Sequence, residues 1–440
     1  MVLANLRRLF AERATVRKLV SNSGWLLADQ MLRVGAGAFL NLWIARHFGP
    51  ERLGAFNYAM AVVALWAPIA AFSLEVLLIR DLVKFPDRAQ MILSSAFALR
   101  FAAGVLSILG AMVMVVATRS GENELVVLVL IAALASLFQA AGVVDSWFQS
   151  QVQAKYSALT RNFAFIVSSV VKIAGVLMDA DIAFLSCAVL AEAAMSAFLY
   201  QWFYRVLDRM SLGWSAIEWK QIRAYLLEAR SLVLTGILIG IYMRVDRLMI
   251  GSMLGNRSVG IYSVAVQLCE LFYLLPTAAM GSIYPILIKL HAENEQKYRK
   301  RLLQSMACFF YGGLAIAVLF VLNAGWLVQL LLGEGYQDSV AVVRVYIFLL
   351  PLIGMSIVFS HWYVLYKRTE VSMYGSVIGG ASAVILNYLL IDRLGLIGSA
   401  YAALVSMVMP TMAVSLFFDR RVGTFFWDSI RLKFERSYAR

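Results

Sequence analysis

The sequence predicts an all-α polytopic membrane protein with about twelve transmembrane helices in two pseudo-symmetric six-helix bundles. Three observations predict this fold class: a strongly apolar composition, apolar runs long enough to cross a bilayer, and a likeness between the two halves of the chain. Of the 440 residues, 62% are hydrophobic and 15% are charged. A soluble domain has roughly 45–50% apolar and roughly 25% charged residues. An integral membrane protein is therefore expected.

The apolar runs define the helices and the domain boundaries. A transmembrane helix needs about 20 apolar residues, and we expect twelve such runs, within one or two. They lie at 22–46, 55–79, 91–117, 125–149, 160–178, 182–204, 230–253, 260–287, 303–331, 341–365, 371–391 and 396–418. The predicted domains are a basic amphipathic arm at 1–21, bundles at 22–204 and 227–418, an amphipathic linker at 205–226 and a basic tail at 419–440. The arm and the linker are typical of helices that lie on a membrane surface.

Lys and Arg residues are distributed unequally between the two sets of loops. If the N-terminus is cytoplasmic, the cytoplasmic segments hold 28 of the 39 Lys and Arg residues and the opposite loops hold five. Loops rich in Lys and Arg stay in the cytoplasm, so both termini are predicted to be cytoplasmic. The same asymmetry accounts for most of the net charge of +13. Nucleic acid is therefore not an expected partner.

The two halves of the chain contain related segments. Residues 44–66 align without gaps on residues 250–272, and Gly49 and Gly54 coincide with Gly255 and Gly260. In each copy a Gly-x(4)-Gly turn joins two helices at the outer face. An even number of predicted helices separates the copies, so both have the same orientation. Parallel repeats of this kind build transporters with a substrate path at the repeat interface.

No metal site, disulfide, cofactor or enzymatic activity is expected. Cys187, Cys269 and Cys308 lie in apolar segments without CxxC spacing, and the three His residues are scattered. The sequence contains no GxxxxGK[ST] phosphate loop, which excludes an ATPase within this chain. The outer loops are too short for the catalytic segment of a polymerase, ligase or glycosyltransferase.

Ionisable residues inside the predicted spans are the main functional signal. Each costs about 2.5–3.5 kcal/mol at the centre of a span, so such residues normally face a polar cavity. Arg244 and Arg247 are three residues apart on one helix, and both can face the same cavity. Asp246 points away from Arg244. The alternative is a structural ion pair between Asp246 and Arg247.

The first helix carries a polar stripe. Gln30, Arg33 and Asn41 recur at helical spacing. Asp29 lies four residues before Arg33, close enough to neutralise it. The stripe therefore indicates either a ligand contact at Arg33 or a self-satisfied pair.

Three further cations are candidates for contact with a ligand. Arg100 and Lys172 lie deep in the third and fifth predicted helices, although each side chain could instead extend to an interface. Arg80 follows the second helix at its cytoplasmic end. It could meet a ligand there, or it could serve only as a marker of topology.

Several stretches together indicate a family. They are residues 44–59, SLEVLLIRDLVK at 73–84, RVDRLMIGSMLG at 244–255, ELFYLLPTAAMGSIYPILIK at 270–289 and LLLGEGYQDS at 330–339. These stretches resemble the O-antigen flippases (Wzx), in the polysaccharide-transporter branch of the multidrug/oligosaccharidyl-lipid/polysaccharide (MOP) exporter superfamily. The resemblance extends over essentially the whole chain.

The resemblance implies a fold, a location and a function. Two six-helix bundles would surround a central cavity that opens to one side of a bacterial inner membrane at a time. The substrate would be undecaprenyl-diphosphate-linked oligosaccharide, moved from the cytoplasmic to the periplasmic leaflet. Membrane lipids, and the polymerase and chain-length components of a polysaccharide pathway, would be the partners. A multidrug exporter of the same superfamily is the alternative.

The implied substrate assigns roles to the polar residues. Arg binds phosphate bidentately and stays charged when partly desolvated. The expected contacts of the head group are Arg33, Arg244, Arg247, Arg100, Lys172, Gln30, Asn41 and Arg80.

A proton carrier would need a carboxyl group that burial makes easy to protonate. Glu192, which is flanked by alanines and has no local partner, is the first candidate, followed by Asp29, Asp246 and Glu270. Glu270 could instead serve helix packing beside the predicted kink at Pro276.

Overall fold

Helices make up almost all of the protein. The computed structural model describes residues 2–208, 212–213, 216–366, 368–417 and 420–433, and these residues contain no strand. The side chains of residues 2–32 lie outside this description. The helices are α1 (Val2–Ala71), α2 (Glu75–Lys84), α3 (Ala89–Thr118), α4 (Asn123–Gln139), α5 (Val143–Ser150), α6 (Ala154–Leu177), α7 (Ala183–Asp208), α8 (Trp219–Leu254), α9 (Asn256–Glu270), α10 (Leu274–Glu293), α11 (Glu295–Leu332), α12 (Ser339–Tyr346), α13 (Leu349–Leu365), α14 (Thr369–Leu394), α15 (Leu396–Phe417) and α16 (Arg420–Ile430).

The helices reproduce the predicted transmembrane spans. Within the described residues, nine helical stretches are long and apolar enough to cross a membrane, or up to eleven if each of two bent pairs is one span. One of the nine, Arg33–Lys84, is 52 residues long and covers two predicted spans. The predicted fold class, an all-α polytopic membrane protein, is confirmed.

The chain forms two compact units. Unit 1 contains Met1–Ile44 and Ala59–Ile237, and unit 2 contains Ala45–Tyr58 and Leu238–Arg440. The units do not coincide with the two halves of the sequence. The outer end of the first predicted span belongs to unit 2, whereas the linker and the first part of α8 belong to unit 1.

The core of unit 1 lies among α2, α3, α5, α7 and the start of α8. Leu78, Leu93, Phe148, Tyr204 and Tyr225 are each no more than 1% exposed and belong to one cluster. Burial of side chains of this size stabilises by about 1.5–3 kcal/mol each relative to exposure. Tyr225, in the cluster, holds the first turns of α8 against the unit.

The predicted linker also contacts unit 1 through its backbone. The amide of Gly213 donates a hydrogen bond to Ser94 Oγ at 3.3 Å, and the amide of Glu218 donates to Ser95 Oγ at 3.0 Å. Both acceptors are buried on α3. Residues 209–211 and 214–215, with Arg209 and Trp214, lie outside the described residues.

Unit 2 has a separate core that includes the last helix. Met306, Val358, Trp362, Val414 and Phe426 are buried together. α16 presents its apolar face to this core, as expected for a short amphipathic helix. The predicted basic tail at 419–440 therefore begins with a packed helix.

A charged contact fixes α16 to α11. Arg299 lies 3.7 Å from Asp428, and its guanidinium lies 5.2 Å from the centre of the Phe425 ring. Asp428 is 4% exposed, so its charge is shielded from water. Loss of one partner of such a buried pair is costly, because the other charge remains buried.

The two glycine turns of the repeat lie together in unit 2. Gly49 (φ 73°, ψ 172°) and Gly255 (φ 83°, ψ 178°) have nearly the same positive-φ backbone, which only glycine adopts without strain. A Cβ on Gly54 would lie 1.7 Å from the carbonyl oxygen of Asn256, and one on Gly260 would lie 2.0 Å from that of Pro50. Each turn therefore packs on the backbone of the other through a glycine.

Gly54→Ala should destabilise the protein, because the added methyl group would overlap the Asn256 carbonyl. Overpacking of this type costs about 1–3 kcal/mol. Thermal unfolding of the purified protein in detergent should show a lower midpoint than the wild type.

Gly281→Ala is the matched control, because a Cβ there has no neighbour within 4 Å. Alanine in a helix is about 0.5–1 kcal/mol more favourable than glycine, so this variant should be as stable as the wild type or more stable. Equal midpoints for the two variants would contradict close packing of the glycine turns.

Candidate functional site

Three predicted site residues lie together in unit 1. Arg33 Nη2 on α1 lies 3.2 Å from Glu192 Oε1 on α7, and the two side chains are 34% and 25% exposed. The ammonium group of Lys172 on α6 interacts electrostatically with the same carboxylate. Glu192 has no neighbour in the sequence that could pair with it, but the fold supplies partners from two other helices. The trio holds two cations and one anion.

Arg100 on α3 lies in a second charged cluster of unit 1. It is 4% exposed, and its Nη2 lies 3.9 Å from Glu75 Oε1, beyond hydrogen-bonding distance. Asp145 lies nearby and pairs with Arg161 at 3.4 Å. Among the described residues, Arg100 Nε and Nη2 have no hydrogen-bond acceptor. A buried guanidinium with open donors is suited to bind an anion or a hydroxyl group.

The charged residues of α8 form a balanced cluster in unit 2. Arg244, Asp246, Arg247 and Glu270 interact electrostatically with one another. Two guanidinium groups therefore face two carboxylates. The Asp246 carboxylate also accepts a hydrogen bond from the backbone amide of Arg247 at 2.7 Å. Unlike the trio of unit 1, this cluster has no excess of positive charge when all four groups are ionised.

Uncharged polar groups surround this cluster. Tyr262 on α9 and Tyr346 on α12 are near Arg247. Ser399 on α15 is near Tyr262. It donates a hydrogen bond to Asn387 Oδ1 at 2.6 Å. None of these four residues is among the site residues predicted from the sequence. The sequence did distinguish Tyr262: it aligns with Phe56 in the repeat and carries a hydroxyl group where the first copy has none.

Arg80 is held by carboxylates of unit 1. Its Nε lies 2.8 Å from Asp81 Oδ1, and both of its terminal nitrogens donate to Glu228 on α8. Tyr225 donates a hydrogen bond to Asp81 Oδ2 at 3.0 Å. In this structure the guanidinium of Arg80 thus joins α2 to α8.

The polar stripe of the first helix is described only in part. The side chains of Gln30 and Asp29 lie outside the described residues. Asn41 is exposed. A Cβ on Gly37 would lie 3.5 Å from the ring of Phe165 on α6, which places this face of α1 beside α6.

Unit 2 also contains a cavity that the sequence analysis did not predict. Its volume is about 830 Å³, including space open to solvent. The described lining residues have hydroxyl-bearing, aromatic and aliphatic side chains, and none of them is Asp, Glu, Lys, Arg or His. α13, α14 and α15 supply most of the lining, with Tyr242 of α8 and Phe426 of α16. The signal in the sequence was a set of hydroxyl groups on three successive helices, including Ser356, Ser376 and Thr411.

Comparison with protein families identifies the chain. The model of the family described as polysaccharide biosynthesis protein matches residues 19–291, which is more than half of the chain. The chain belongs to the polysaccharide biosynthesis protein family. The model of the MatE family matches residues 232–389. Comparison with curated protein sequences finds no match.

Solved structures share the fold of this polysaccharide biosynthesis family member. The lipid II flippase MurJ in an inward closed conformation matches with a TM-score of 0.72 at 16% identity, over 94% of this chain and 91% of MurJ. A multidrug resistance MATE family transporter of the MOP superfamily, inward-facing, matches with 0.69 at 13% identity, over 92% and 99% of the two chains. A MOP superfamily transporter from Pyrococcus furiosus matches with 0.61 at 14% identity, over 92% and 96%. At these identities the structures establish the fold alone.

Neutral variants of Arg33 and Glu192 should show energetic coupling. Arg33→Gln or Glu192→Gln alone removes one partner of a half-buried pair, whereas the double variant removes both charges. The loss of unfolding free energy in the double variant should be smaller than the sum of the single losses by about 0.5–3 kcal/mol. Denaturant titration of the purified proteins measures these energies.

Arg33→Gln combined with Glu122→Gln serves as the reference, because Glu122 pairs with Arg119. The losses of unfolding free energy caused by Arg33→Gln and by Glu122→Gln should add in the double variant. Additive losses for Arg33 and Glu192 as well would mean that the ion pair does not contribute to stability.

Proposed function

We propose that the protein moves undecaprenyl-diphosphate-linked oligosaccharide from the cytoplasmic to the periplasmic leaflet of a bacterial inner membrane. The substrate would be the O-antigen unit or the repeat unit of another surface polysaccharide. The observation that carries this proposal is the match of the polysaccharide biosynthesis family over residues 19–291. The fold shared with a lipid II flippase supports it. The loop charges favour cytoplasmic N- and C-termini.

The physical task of such a flippase is to shelter a charged, hydroxylated head group. Desolvation of phosphate in hydrocarbon is prohibitive unless charged groups replace its water. The polyprenyl tail, by contrast, is stable in the bilayer. The protein therefore needs buried cations that a diphosphate can reach.

The charge balance ranks the candidate cations. Among the described residues, Arg33 and Lys172 share the carboxylate of Glu192, so this trio has one more positive than negative charge. Arg244 and Arg247 are matched by Asp246 and Glu270. We assign the first diphosphate contact to Arg33 and Lys172. Arg244, Arg247 and Arg100 would bind a second part of the head group, while Gln30, Asn41 and Arg80 would line its path.

The same trio offers a route to proton coupling. A diphosphate that binds Arg33 competes with the Glu192 carboxylate for the guanidinium. Protonation of Glu192 removes this competition, so uptake of a proton and binding of the anion would favour each other. Asp246 and Glu270 have the same relation to Arg247, and Asp29 remains a further candidate.

A multidrug exporter is the second candidate function. The MatE family match over residues 232–389 supports it. The trio of Arg33, Lys172 and Glu192 has excess positive charge among the described residues, which would repel an organic cation and attract an anion. The flippase is therefore preferred.

Cells that lack this protein should accumulate the lipid-linked oligosaccharide in the cytoplasmic leaflet and lose surface polysaccharide. The double variant Arg33→Ala/Lys172→Ala should not restore the polysaccharide, because the diphosphate loses its charge partners. Measurements of surface polysaccharide and of membrane-inserted protein test this.

Arg257→Ala is the control for this experiment, since Arg257 is exposed, and it should restore surface polysaccharide fully. Normal polysaccharide in deletion cells, together with increased drug sensitivity, would favour the multidrug exporter instead.

Collapse of the proton gradient should slow transport of lipid-linked oligosaccharide in vesicles that contain the wild-type protein. Glu192→Gln mimics the protonated carboxyl group. This variant should transport the oligosaccharide more slowly than the wild type, and its rate should not depend on the gradient. Accessibility of the oligosaccharide to an external glycosidase reports the rate. A gradient response of Glu192→Gln equal to that of the wild type would exclude Glu192 as the coupling group.

A further inference from the structure

We propose that the cavity of unit 2 binds the sugar residues of the lipid-linked substrate. The proposal rests on the function proposed above and assigns the glycan to a site separate from the buried charges. The cavity combines three properties that together fit a sugar: it is uncharged, it carries hydroxyl groups, and it has aromatic walls.

The lining residues that the structure describes argue against the diphosphate as the occupant. None of these described residues is Asp, Glu, Lys, Arg or His. An anion placed there would lose its hydration without gaining a counter-charge, which is strongly unfavourable. The occupant is therefore neutral.

The hydroxyl groups argue against a hydrocarbon occupant. Ser356 and Ser360 are one turn apart on α13, Ser376 lies on α14 and Thr411 on α15. A hydroxyl group both donates and accepts hydrogen bonds, so this set matches the hydroxyl groups of a sugar. Each hydroxyl oxygen can still accept a hydrogen bond, which a sugar hydroxyl group can donate and a polyprenyl chain cannot.

The aromatic walls match the other property of a sugar ring, which has apolar C–H faces. Tyr242, Phe359, Tyr363 and Phe426 line the cavity. Pockets that bind small ligands typically combine such apolar walls with a few placed polar groups. The cavity has both features.

Tyr242 offers an incompletely used hydroxyl group in this wall. Its oxygen lies 3.6 Å from the Met407 sulfur, which is a weak acceptor. Tyr242 also lies one turn before Asp246 on α8 and interacts electrostatically with it. The cavity therefore adjoins the buried charges of unit 2, as a site for a glycan attached to a diphosphate requires.

Pro410 of α15 is one of the residues that line the cavity. Pro410 has no amide hydrogen, so the carbonyl of Ser406 receives no bond from the next turn. Gly379 allows α14 to approach this point, since a Cβ there would lie 3.1 Å from Pro410 Cγ and 3.5 Å from the Ser406 oxygen. Ser406 Oγ is buried and has no hydrogen-bond partner among the described residues. The helix packing thus leaves unused polar groups next to the cavity.

The position of the cavity fits loading from the cytoplasm. Its lining comes from residues 352–363 of α13, the first half of α14 and the second half of α15. The loop charges assign the end of α13, the start of α14 and the end of α15 to the cytoplasm. Phe426 of α16 contributes to the lining at this end.

The test compares two lipids in vesicles that contain the full-length protein. One lipid is the undecaprenyl-diphosphate-linked oligosaccharide extracted from cells that lack this protein, and the other is undecaprenyl diphosphate with a single N-acetylhexosamine. Ser376→Phe fills the cavity and should abolish transport of the oligosaccharide while the single-sugar lipid still moves. Thr411→Val removes one hydroxyl group at constant shape and should slow the oligosaccharide about fivefold.

Two control variants accompany this comparison. Val377→Phe places the same ring at the next position of α14, where the side chain is exposed, and Ser252→Ala removes an exposed hydroxyl group. Both should transport both lipids at the wild-type rate. An equal loss for both lipids in Ser376→Phe would overturn the proposal in favour of a site for the polyprenyl tail. Transport of neither lipid by the wild type would instead contradict the proposed function.

A binding measurement separates a sugar site from a purely structural role. Ser376→Cys, in a chain with Cys187 and Cys308 replaced by serine, should react with a maleimide. The extracted oligosaccharide lipid should slow this reaction, and undecaprenyl diphosphate without sugar should not. Equal protection by both lipids, or by neither, would overturn the proposal.

Discussion

The cost of burying charge in an apolar protein governs the arrangement of the polar residues. Arg33 and Lys172 lie beside Glu192, Arg100 lies near Glu75 and Asp145, and the α8 arginines lie beside Asp246 and Glu270. An isolated charge at such a position would be expensive, whereas a pair is tolerable. In the proposed function, a diphosphate, with more negative charge than a carboxylate, would compete with these carboxylates for the cations.

The glycine turns place a second constraint on the fold. The turn at Gly49 and the turn at Gly255 belong to different sequence repeats but to the same unit. Gly54 and Gly260 let the two turns meet at backbone distance. Tyr336 reinforces this arrangement, since its buried hydroxyl donates to the carbonyl oxygen of Ala45 at 2.9 Å. Duplication of a helix–turn–helix segment thus supplied both sides of one contact.

Charge and neutral polarity are separated within the protein. The charged clusters lie on α1, α3, α6 and α7 of unit 1 and on α8 and α9 of unit 2, whereas the described residues that line the cavity of unit 2 are uncharged. A lipid-linked glycan has the same separation, because its phosphates are anionic and its sugars are rich in hydroxyl groups. In the proposed function, separate sites would therefore replace the water around each part. No single site would then have to replace all of the water that hydrates the substrate.

The sequence by itself determined the class of fold and predicted the apolar spans and the repeat, because these depend on composition and on local periodicity. It also singled out Arg33, Lys172, Arg244 and Glu192 as exceptional, since a charged side chain inside an apolar span is visible without a structure. Only the tertiary structure decided their partners. Glu192 and Arg33 are separated by 159 positions, and the cavity is formed by residues from five helices. Such contacts depend on which helix faces meet, and helix faces of similar hydrophobicity do not specify this in the sequence.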